Sequence, residues 1–479
     1  MRLSRILHIL GALLMFLGVT MLLPLPFSFY YGAGDHVSLI ASAAAATLAG
    51  FLLRRFTRLD GDLRHREAFV IVSLTWISFS CFGTLPYVIS GAIPSFTDAF
   101  FETASGLTTT GASILTDIEA VPRGILFWRS LTHWIGGMGI IVMSLAVLPF
   151  LGIGGMQLYK AELASAADRL TPRVTQTAKI LWGVYAGMTG LEAVLLMIGG
   201  MDLFDALCHS FSTLATGGFS TRNASIAAFE SAYIDYVITI FAFASGANFF
   251  LHYRLMRGGD FRGYLRNAEW RSYALIAGLA VTIAFASVVT SYDNAERAFR
   301  DCFFQVVNLM TTTGFVIADY EQWPYLVQFL LLLLMLIGAS GGSTGGGMKV
   351  VRVHVLFKFV VREVTRLLHP HAVEPVRLGK DAMERDTVAN ILGFAILYAA
   401  TFAAGALLMT GMGYNIETSI GASAACLGNV GPGLGDVGPM DNYGHLPHAA
   451  KWLLSLLMLL GRIEIYTLVI LFFPSFWKK

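Results

Sequence analysis

The chain has 479 residues, of which 56% are hydrophobic and only 13% are charged, whereas a soluble domain averages about 25% charged residues. Its 33 Lys and Arg residues nearly balance its 31 Asp and Glu residues, the net charge is +2, and the mean hydropathy is +0.65. This composition excludes a soluble globular domain and gives no reason to expect a nucleic-acid partner. We therefore predict an all-α polytopic membrane protein that lies in a lipid bilayer.

The first predicted helix follows the residues "MRLSR" and covers 6–27, which is long enough to cross a bilayer. A signal peptide also starts in this way. However, no small-residue cleavage site follows the apolar run directly, and a second apolar segment begins near Val37, so we expect a retained helix. These two segments form a predicted N-terminal helix pair, residues 1–58.

Ten apolar runs are long enough to cross about 30 Å of hydrocarbon. The predicted spans are 6–27, 37–53, 68–92, 126–150, 178–200, 231–251, 272–290, 324–350, 388–411 and 450–473. Between some of them lie apolar stretches that are too short to span and are predicted to re-enter the membrane as half-helices: 95–108, 203–215, 296–310 and 414–427.

The positive charges of the connecting segments predict the orientation of these spans, because Lys and Arg concentrate on the cytoplasmic side. Three links and both termini are therefore expected in the cytoplasm. The first link carries Arg54, Arg55, Arg58, Arg64 and Arg66, the second carries Arg254, Arg257, Arg262, Arg266 and Arg271, and the third carries Lys358, Arg362, Arg366, Arg377, Lys380 and Arg385. The N-terminus carries Arg2 and Arg5, and the C-terminus carries Lys478 and Lys479. The half-helices then fall on the outer side, near Asp98, Asp202, Asp301 and Glu417.

A short polar motif recurs as "SGLTTTGASIL", "STLATGGFST", "NLMTTTGFVIADY" and "CLGNVGPGLG". When these motifs are aligned on Gly111, Gly218, Gly314 and Gly431, the spacings are 107, 96 and 117 residues. Each motif follows a spanning segment and a short apolar stretch and precedes another spanning segment. The chain therefore repeats one unit of helix, half-helix, polar loop and helix, and the predicted repeats are residues 66–157, 176–257, 270–352 and 386–479.

Polar loops of this kind place backbone N–H and C=O groups at membrane depth, where only protein or a water-filled cavity satisfies them. Four loops around one axis would offer oxygens in place of the hydration shell of a cation, and the half-helix C-termini would add partial negative charge. The motif cores contain no Asp or Glu, which favours K+ over Ca2+ or Mg2+. One such motif alone would favour helix packing through small residues, but four in register favour a cation site.

The eighth span is interrupted by six glycines between Gly338 and Gly347, in "LIGASGGSTGGGMKV". Each glycine costs a helix up to about 1 kcal/mol relative to alanine, so this segment is expected to unwind. It does not match a phosphate-binding loop, because it ends in Gly347-Met348-Lys349 rather than Gly-Lys-Ser/Thr. A loop that crosses the pore and a simple packing kink are the two interpretations that remain.

Arg462 lies near the middle of the last predicted span, where it costs at least about 2.5 kcal/mol unless it faces a polar cavity. An arginine that faces the pore would repel K+. The alternatives are a pair with Glu464, although residues two apart point in different directions on a helix, and a partner on another helix. His133 and Asn248 are also polar, and packing explains them at least as well as contact with the pore does.

These motifs resemble those of the Trk/Ktr/HKT superfamily of potassium transporters, and within it the TrkH/TrkG-type subunits of bacteria. The resemblance covers essentially the whole chain, including the N-terminal helix pair. It implies a single chain that is similar to a tetrameric potassium channel, with four pseudo-symmetric helix, pore-loop, helix repeats around a central pore. Carried over by motif, the implied selectivity filter consists of Thr109, Thr110, Gly111, Ala112, Thr216, Gly217, Gly218, Phe219, Thr312, Thr313, Gly314, Phe315, Asn429, Val430, Gly431 and Pro432.

In this superfamily a glycine at the key position of every repeat goes with K+ permeation, so the resemblance implies K+ here. The fourth loop departs from the Thr-Gly form, and its proline has no backbone N–H, so the implied ring is only pseudo-symmetric. The glycine-rich segment and the arginine of the last span match the family's gating loop and pore arginine. The implied gate residues are Gly338, Gly341, Gly342, Gly345, Gly346, Gly347, Lys349 and Arg462.

The resemblance further implies a homodimer in the bacterial inner membrane, seated on a cytosolic ring of RCK-type, TrkA-like subunits that bind NAD(H) or ATP. No cofactor is expected in this chain itself, because it has no nucleotide motif, and K+ is the expected transported ion. No nucleophile-base pair or metal cluster is recognisable, so an enzyme is not expected. The expected function is a K+-selective channel or uptake transporter. The alternatives are a K+ secondary transporter coupled to H+ or Na+, and a non-transporting scaffold.

Overall fold

The computed structural model describes residues 2–58, 65–146, 174–370, 375–379 and 381–477. Helices dominate these ranges, and the two β-strands found there, Arg377–Leu378 and Asp381–Ala382, form a short antiparallel hairpin. The predicted helical membrane class is confirmed. Several predictions lie outside the described residues: the end of the span 126–150, the boundary of repeat 1 at residue 157, and the basic residues Arg64, Lys380, Lys478 and Lys479.

The α-helices are numbered here in chain order over the described residues. They are α1 (Leu3–Thr20), α2 (Leu25–Tyr31), α3 (His36–Phe56), α4 (His65–Gly83), α5 (Leu85–Ser90), α6 (Phe96–Leu107), α7 (Arg123–Ala146), α8 (Val174–Ile198), α9 (Leu203–Leu214), α10 (Ala232–Ser245), α11 (Phe249–Gly258), α12 (Arg262–Arg266), α13 (Ala268–Val288), α14 (Ala295–Met310), α15 (Tyr325–Ile337), α16 (Val350–Leu368), α17 (Arg385–Gly411), α18 (Ile416–Gly428), α19 (His448–Arg462), α20 (Ile465–Val469) and α21 (Pro474–Trp477).

Four short helices, α6, α9, α14 and α18, begin and end within two residues of the predicted half-helices. A twelve-residue helix such as α6 is about 18 Å long, which is well short of the hydrocarbon thickness. Each helix starts at a polar side chain that accepts a hydrogen bond from a backbone N–H of the first turn. These N-cap residues are Ser95, Asp202, Asn294 and Asn415.

Within the described residues, six helical segments are long and apolar enough to cross a membrane, and eight are if each of two bent helix pairs counts as one span. Of the ten predicted spans, the fourth corresponds to α7, and the eighth to the shorter α15 followed by an irregular loop and α16. The chain therefore has the predicted multi-pass architecture, although several of its spans are interrupted.

Two spans that were predicted to be continuous are broken, and this part of the prediction was wrong. The span 231–251 divides into α10 and α11, which meet at 101°, and the span 450–473 divides at Arg462 into two parts that meet at 112°. At the first break, the side chain of Asn248 caps α11 by accepting a hydrogen bond from the N–H of Phe250 at 2.9 Å. At the second, Glu464 has a positive φ of 66°, which a helix does not permit.

The N-terminal pair packs through small residues, since Gly11 and Gly18 of α1 face Gly50 and neighbouring residues of α3. A Cβ atom added to Gly50 would lie 2.8 Å from the backbone nitrogen of Met15 and would collide with the carbonyl of Gly11. Glycine therefore allows the two helix backbones to approach closely, as is typical of helix pairs in membranes.

Gly50→Ala is expected to destabilise the protein by about 1 to 3 kcal/mol, because the added methyl group overpacks the interface between α1 and α3. The measurement is thermal unfolding of the purified protein in detergent. Gly278→Ala is the matched control, because Gly278 lies in the long helix α13 with no heavy atom within 4 Å of an added Cβ. Equal melting temperatures for the two variants would contradict the packing argument.

Candidate ion site

All four half-helices end in the same backbone conformation. The residue that follows the last helical turn has a left-handed φ in each loop: Thr109 (53°), Thr216 (56°), Thr312 (60°) and Asn429 (56°). The next residue donates its N–H at 2.8 Å to the carbonyl five positions earlier: Thr110 to Ser105, Gly217 to Ser212, Thr313 to Asn308, and Val430 to Ala425. This hydrogen bond is the Schellman type of helix ending, so four different sequences form one common turn.

The aligned glycines of the four loops lie in a closed ring. Each has a positive φ: Gly111 (82°), Gly218 (79°), Gly314 (78°) and Gly431 (101°). A Cβ atom added to each glycine would approach a carbonyl oxygen of the next loop in sequence order, and the fourth loop returns to the first; those oxygens belong to Gly217, Thr313, Val430 and Thr110. The four loops therefore meet around a single axis, at a spacing that leaves no room for side chains at these positions.

The four glycines border a common cavity of about 90 Å³. Ser113, Ser220 and Ser225 are also in its lining, together with two arginines, Arg129 and Arg222. The ring of loops thus borders a small polar space.

The predicted filter residues are buried, apart from Gly111, Gly218 and Pro432, which are half-buried. In loop 1, the polar loop of repeat 1, the hydroxyl of Thr110 is 2.7 Å from that of Thr108. In loop 3, the polar loop of repeat 3, the matching hydroxyl of Thr313 is 2.8 Å from that of Thr311. In loop 4 the amide of Asn429 donates to the hydroxyl of Thr110 at 3.0 Å. This asparagine replaces the threonine of the other loops and links loop 4 to loop 1.

Both predicted aromatic filter residues are held by neighbouring helices. The ring of Phe219 stacks on His133 of α7 with a centroid distance of 4.1 Å, and the Arg129 guanidinium lies 3.5 Å from its centroid. The ring of Phe315 lies 5.8 Å from His209 of α9. These contacts fix the backbone next to Gly218 and Gly314. His133 is therefore a packing residue, although its Nε2 atom has no hydrogen-bond partner among the described residues.

Sequence analysis missed a set of side chains that brace the loops. Nine residues before the aligned glycine, repeats 1 to 3 have Glu102, His209 and Gln305, whereas repeat 4 has Ala422. Each of the three polar side chains forms a hydrogen bond with the segment that follows its own glycine: Glu102 with Ser113 (2.9 Å) and the N–H of Ile114 (2.8 Å), His209 with Ser220 (2.9 Å), and Gln305 with the carbonyl of Ala318 (2.8 Å). Reading the aligned motifs backwards from the glycine would have revealed this position.

The glycine-rich segment is an irregular loop that lies against the ends of the half-helices. The N–H of Gly346 donates to the hydroxyl of Thr312 at 2.6 Å, and the hydroxyl of Thr344 donates to the carbonyl of Leu214 at 2.9 Å. A Cβ atom at Gly346 would collide with the carbonyl of Gly428, the last residue of α18. The loop therefore contacts repeats 2, 3 and 4 at the C-terminal ends of their half-helices, which a simple kink would not do.

The remaining residues of the predicted gate lie in or beside this loop. Gly338, with a φ of 75°, ends α15, and Gly347 packs against it. The carbonyl of Gly342 accepts a hydrogen bond from the N–H of Phe249 at 3.1 Å, and the N–H of Gly341 donates to Glu269 at 2.5 Å. The Lys349 ammonium donates to the carbonyl of Gly345, within the loop itself.

Arg462 is the last residue of α19, and its side chain is buried. One guanidinium nitrogen donates to the carbonyl of Thr344 at 2.7 Å and another to the carbonyl of Gly136 at 3.1 Å, while Nε has no partner among the described residues. Arg462 thus joins the glycine-rich loop to α7. The alternative of an Arg462 pair with Glu464 is wrong, because Glu464 instead binds Arg352 at 2.6 Å.

Comparison with known proteins identifies the family. The family model "TrkH: Cation transport protein" matches residues 36–479. The chain belongs to the TrkH family. Two TrkH relatives, each named "Trk system potassium uptake protein TrkH", are 41% identical in Halomonas elongata and 40% identical in Escherichia coli K12, and both alignments cover 100% of each chain. The crystal structure of the potassium transporter TrkH from Vibrio parahaemolyticus is 39% identical, with a TM-score of 0.92 over 100% of both chains.

The TrkH-family fold of this chain has one further link at the glycine-rich loop. Arg352, in the first turn of α16, forms its 2.6 Å ion pair with Glu464 at the break after α19, and its guanidinium lies 3.9 Å from the Phe394 ring centroid. Lys349 and Glu464 both have positive φ, 78° and 66°, and each such residue costs about 1 to 3 kcal/mol. The ion pair therefore connects the strained residue Glu464 to the first turn of α16, which directly follows the strained residue Lys349.

Glu464→Gln is expected to raise K+ flux at least about threefold, because the two side chains are only 7% and 14% exposed and breaking a buried ion pair costs on the order of a few kcal/mol, which loosens the loop. The measurement is tracer uptake into vesicles that contain the purified protein. Glu363→Gln is the matched control, since Glu363 pairs with Arg362 on the outer surface of α16, the helix that also carries Arg352. A change of equal size in both variants would show that the position of the pair is irrelevant.

Proposed function

We propose that this protein conducts K+ into the cell across the bacterial inner membrane, through one pore formed by a single chain. The observation that carries this proposal is the closed ring of Gly111, Gly218, Gly314 and Gly431, with its four matching helix endings. The similar relatives are named potassium uptake proteins, which supports K+ as the ion.

Selection would rest on backbone oxygens rather than on carboxylates. The half-helix C-termini end at the ring, where each carries about half a negative charge, and the loops lack Asp and Glu. Backbone carbonyls replace the hydration shell of K+ in channel filters. A small ring that binds K+ without full charge neutralisation also lets the ion leave again, which conduction requires.

Flow through this pore would be restricted by the glycine-rich loop together with Arg462. Three of the four half-helices touch that loop at their C-terminal ends, and Arg462 places a positive charge beside it. The loop continues directly into α16, which ends in the basic, charge-rich link predicted to be cytoplasmic. Movement of α16 would therefore act on the loop.

The test is ion uptake by vesicles that contain only the purified protein. A tracer of K+ such as rubidium is expected to enter, and Na+ to enter much more slowly. If neither ion enters the vesicles, a non-transporting scaffold is favoured. If both ions enter at the same rate, selection at the ring is contradicted.

A K+ carrier coupled to H+ or Na+ is the second candidate, because broken helices such as α10–α11 suit that class. Repeats of carriers are typically inverted, however, whereas the units here are all predicted in the same orientation. Single-channel recording separates the two candidates. Discrete openings are expected, and uptake that requires a Na+ or H+ gradient without any openings would favour the carrier.

The protein is further proposed to act as a homodimer on a cytosolic ring of RCK-type, TrkA-like subunits, which would bind NAD(H) or ATP. The name of the relatives, Trk system, fits a multi-component assembly. Both termini are proposed to be cytoplasmic, and no cofactor is proposed for this chain itself. Co-purification with such a ring, and a nucleotide effect on flux only in its presence, would support this arrangement.

A further inference from the structure

Glu102 of α6 and Arg129 of α7 form a buried ion pair beside the filter loops. The Nε atom of Arg129 donates to Oε1 of Glu102 at 2.6 Å, and the two side chains are 2% and 0% exposed. Burial of two charges costs several kcal/mol per ion, so such a pair alone is weak evidence for a role in stability. The remaining polar atoms of both groups indicate a more specific role.

Glu102 uses its other hydrogen bonds to hold the exit of loop 1. Oε1 also accepts from the hydroxyl of Ser113 at 2.9 Å, and Oε2 accepts from the N–H of Ile114 at 2.8 Å. These residues come two and three positions after Gly111. The carboxylate therefore fixes the backbone that leaves the first filter glycine.

Arg129 holds the exit of loop 2. Its Nη1 atom donates to the carbonyl of Ser220 at 2.8 Å, and its guanidinium lies against the ring of Phe219. These residues come directly after Gly218. The ion pair therefore connects the exits of two neighbouring loops directly beside their glycines.

The pair also cancels a charge at the cavity. Two arginines are among the described residues that line it, Arg129 and Arg222. Both pair with a carboxylate at 2.6 Å, Arg129 with Glu102 and Arg222 with Asp205. An unpaired arginine at this place would repel a cation that enters the ring, and in a low-dielectric site the repulsion would be strong.

We propose that the Glu102–Arg129 pair is a positioning element for ion selection: it fixes the exits of loops 1 and 2 against each other and neutralises the arginine at the ion's path. This inference rests on the proposed function of the ring. It differs from a purely structural role, which would hold α6 to α7 without affecting which ion passes.

The test compares Glu102→Gln, Arg129→Gln and the double variant, all as full-length protein in vesicles. Glu102→Gln is expected to lower the ratio of K+ to Na+ uptake about fivefold and to raise the half-saturating K+ concentration, because Arg129 loses its counter-charge. The double variant is expected to return the half-saturating concentration to that of the parent while the ratio stays low. Arg129→Gln is expected to lower the ratio, since the contact with Ser220 is lost.

Asp98→Asn is the matched control, since Asp98 lies one turn earlier on α6 and pairs at 2.6 Å with Lys451 of α19. It is expected to lower the melting temperature without changing the uptake ratio. If Glu102→Gln also lowers only the melting temperature, or if the double variant does not recover its K+ dependence, the proposal is overturned.

Glu102→Asp covers the case in which the glutamine variant does not fold. It keeps the charge but shortens the side chain, so the half-saturating K+ concentration is expected to stay unchanged while the uptake ratio falls. An unchanged ratio would overturn the positioning role. Gly111→Ser is tested alongside: if it also leaves the ratio unchanged, the ring itself is not the filter, whereas a fall with Gly111→Ser alone contradicts only the role of the pair.

Discussion

Arg462→Ala is expected to raise K+ flux roughly thirtyfold. A unit charge repels a monovalent cation by about 2 kcal/mol over about 8 Å at an effective dielectric constant of about 20, and removal of a barrier of that size corresponds to roughly thirtyfold in rate. The substitution also releases the carbonyl of Thr344, which Arg462 holds at 2.7 Å, and so loosens the glycine-rich loop. Tracer uptake into vesicles at fixed protein content is the measurement.

Arg462→Lys separates the charge from the contacts. Lysine keeps the positive charge but is a poor replacement for a planar group that reaches both Thr344 and Gly136. Flux near that of the parent is expected if repulsion is the barrier. Deletion of Gly345, Gly346 and Gly347 is expected to raise flux independently of Arg462. Unchanged flux in both Arg462→Ala and the deletion would end the gating proposal.

Gly111→Ser is expected to reduce the discrimination of K+ from Na+ at least about tenfold, which is a loss of about 1.4 kcal/mol in the difference between the two ions. A residue with a β-carbon at such a φ is strained by about 2 kcal/mol, and relief of that strain shifts its surroundings. Here φ is 82°, and the added Cβ would collide with the carbonyl of Gly217 in the next loop. Displacement of that carbonyl changes the spacing of the ring. The measurement is the ratio of K+ to Na+ permeability in the same vesicles.

Two further substitutions serve as comparisons in this experiment. Gly431→Ser is expected to have the smaller effect, since the nearest atom to an added Cβ there, the Thr110 carbonyl oxygen, is 2.7 Å away and has more room to adjust. Gly187→Ser is the control, because Gly187 lies in α8 with no heavy atom within 4 Å of an added Cβ. A permeability ratio that stays the same in Gly111→Ser would show that the filter is assigned to the wrong residues.

The half-helices were predictable from sequence because local signals delimit them. Ser95, Asp202 and Asn415 cap their first turns, and the glycine motif follows directly after their last turns. The common helix ending has no such local cause in three of the loops, because the left-handed residue there is a threonine (Thr109, Thr216 and Thr312), and a β-branched side chain disfavours that conformation. Asparagine adopts it more readily, as Asn429 does in the fourth loop. Nearby residues therefore determined the extent of the half-helices but not the left-handed turn that ends three of them.

The helix breaks were not predictable, because distant residues cause them. Around Arg462 the sequence stays apolar, "LLMLLGRIEIYTLVI", and hydropathy gives no sign of a turn. The break is held by the bond between Glu464 and Arg352, which is 112 residues away in the chain. Likewise, the N–H of Phe249 after the other break donates to the carbonyl of Gly342. Tertiary contacts decided both geometries.

The residues that brace the loops were only partly predictable from sequence. Glu102, His209 and Gln305 share one position in the repeat but no chemical type. A search for a common residue would therefore miss them, while alignment on the glycines brings them together. What sequence cannot supply is the partner of each, since Arg129 reaches Glu102 from a different helix.

Closure of the ring within a single polypeptide has a consequence for how the sequence of such a pore can change in evolution. In a channel assembled from four identical subunits, one altered codon changes every quarter of the filter together. Here one codon changes a single quarter, as the asparagine at position 429 and the alanine at position 422 already illustrate. In the proposed pore, selectivity can therefore be adjusted in small steps, and each quarter is free to acquire a separate task.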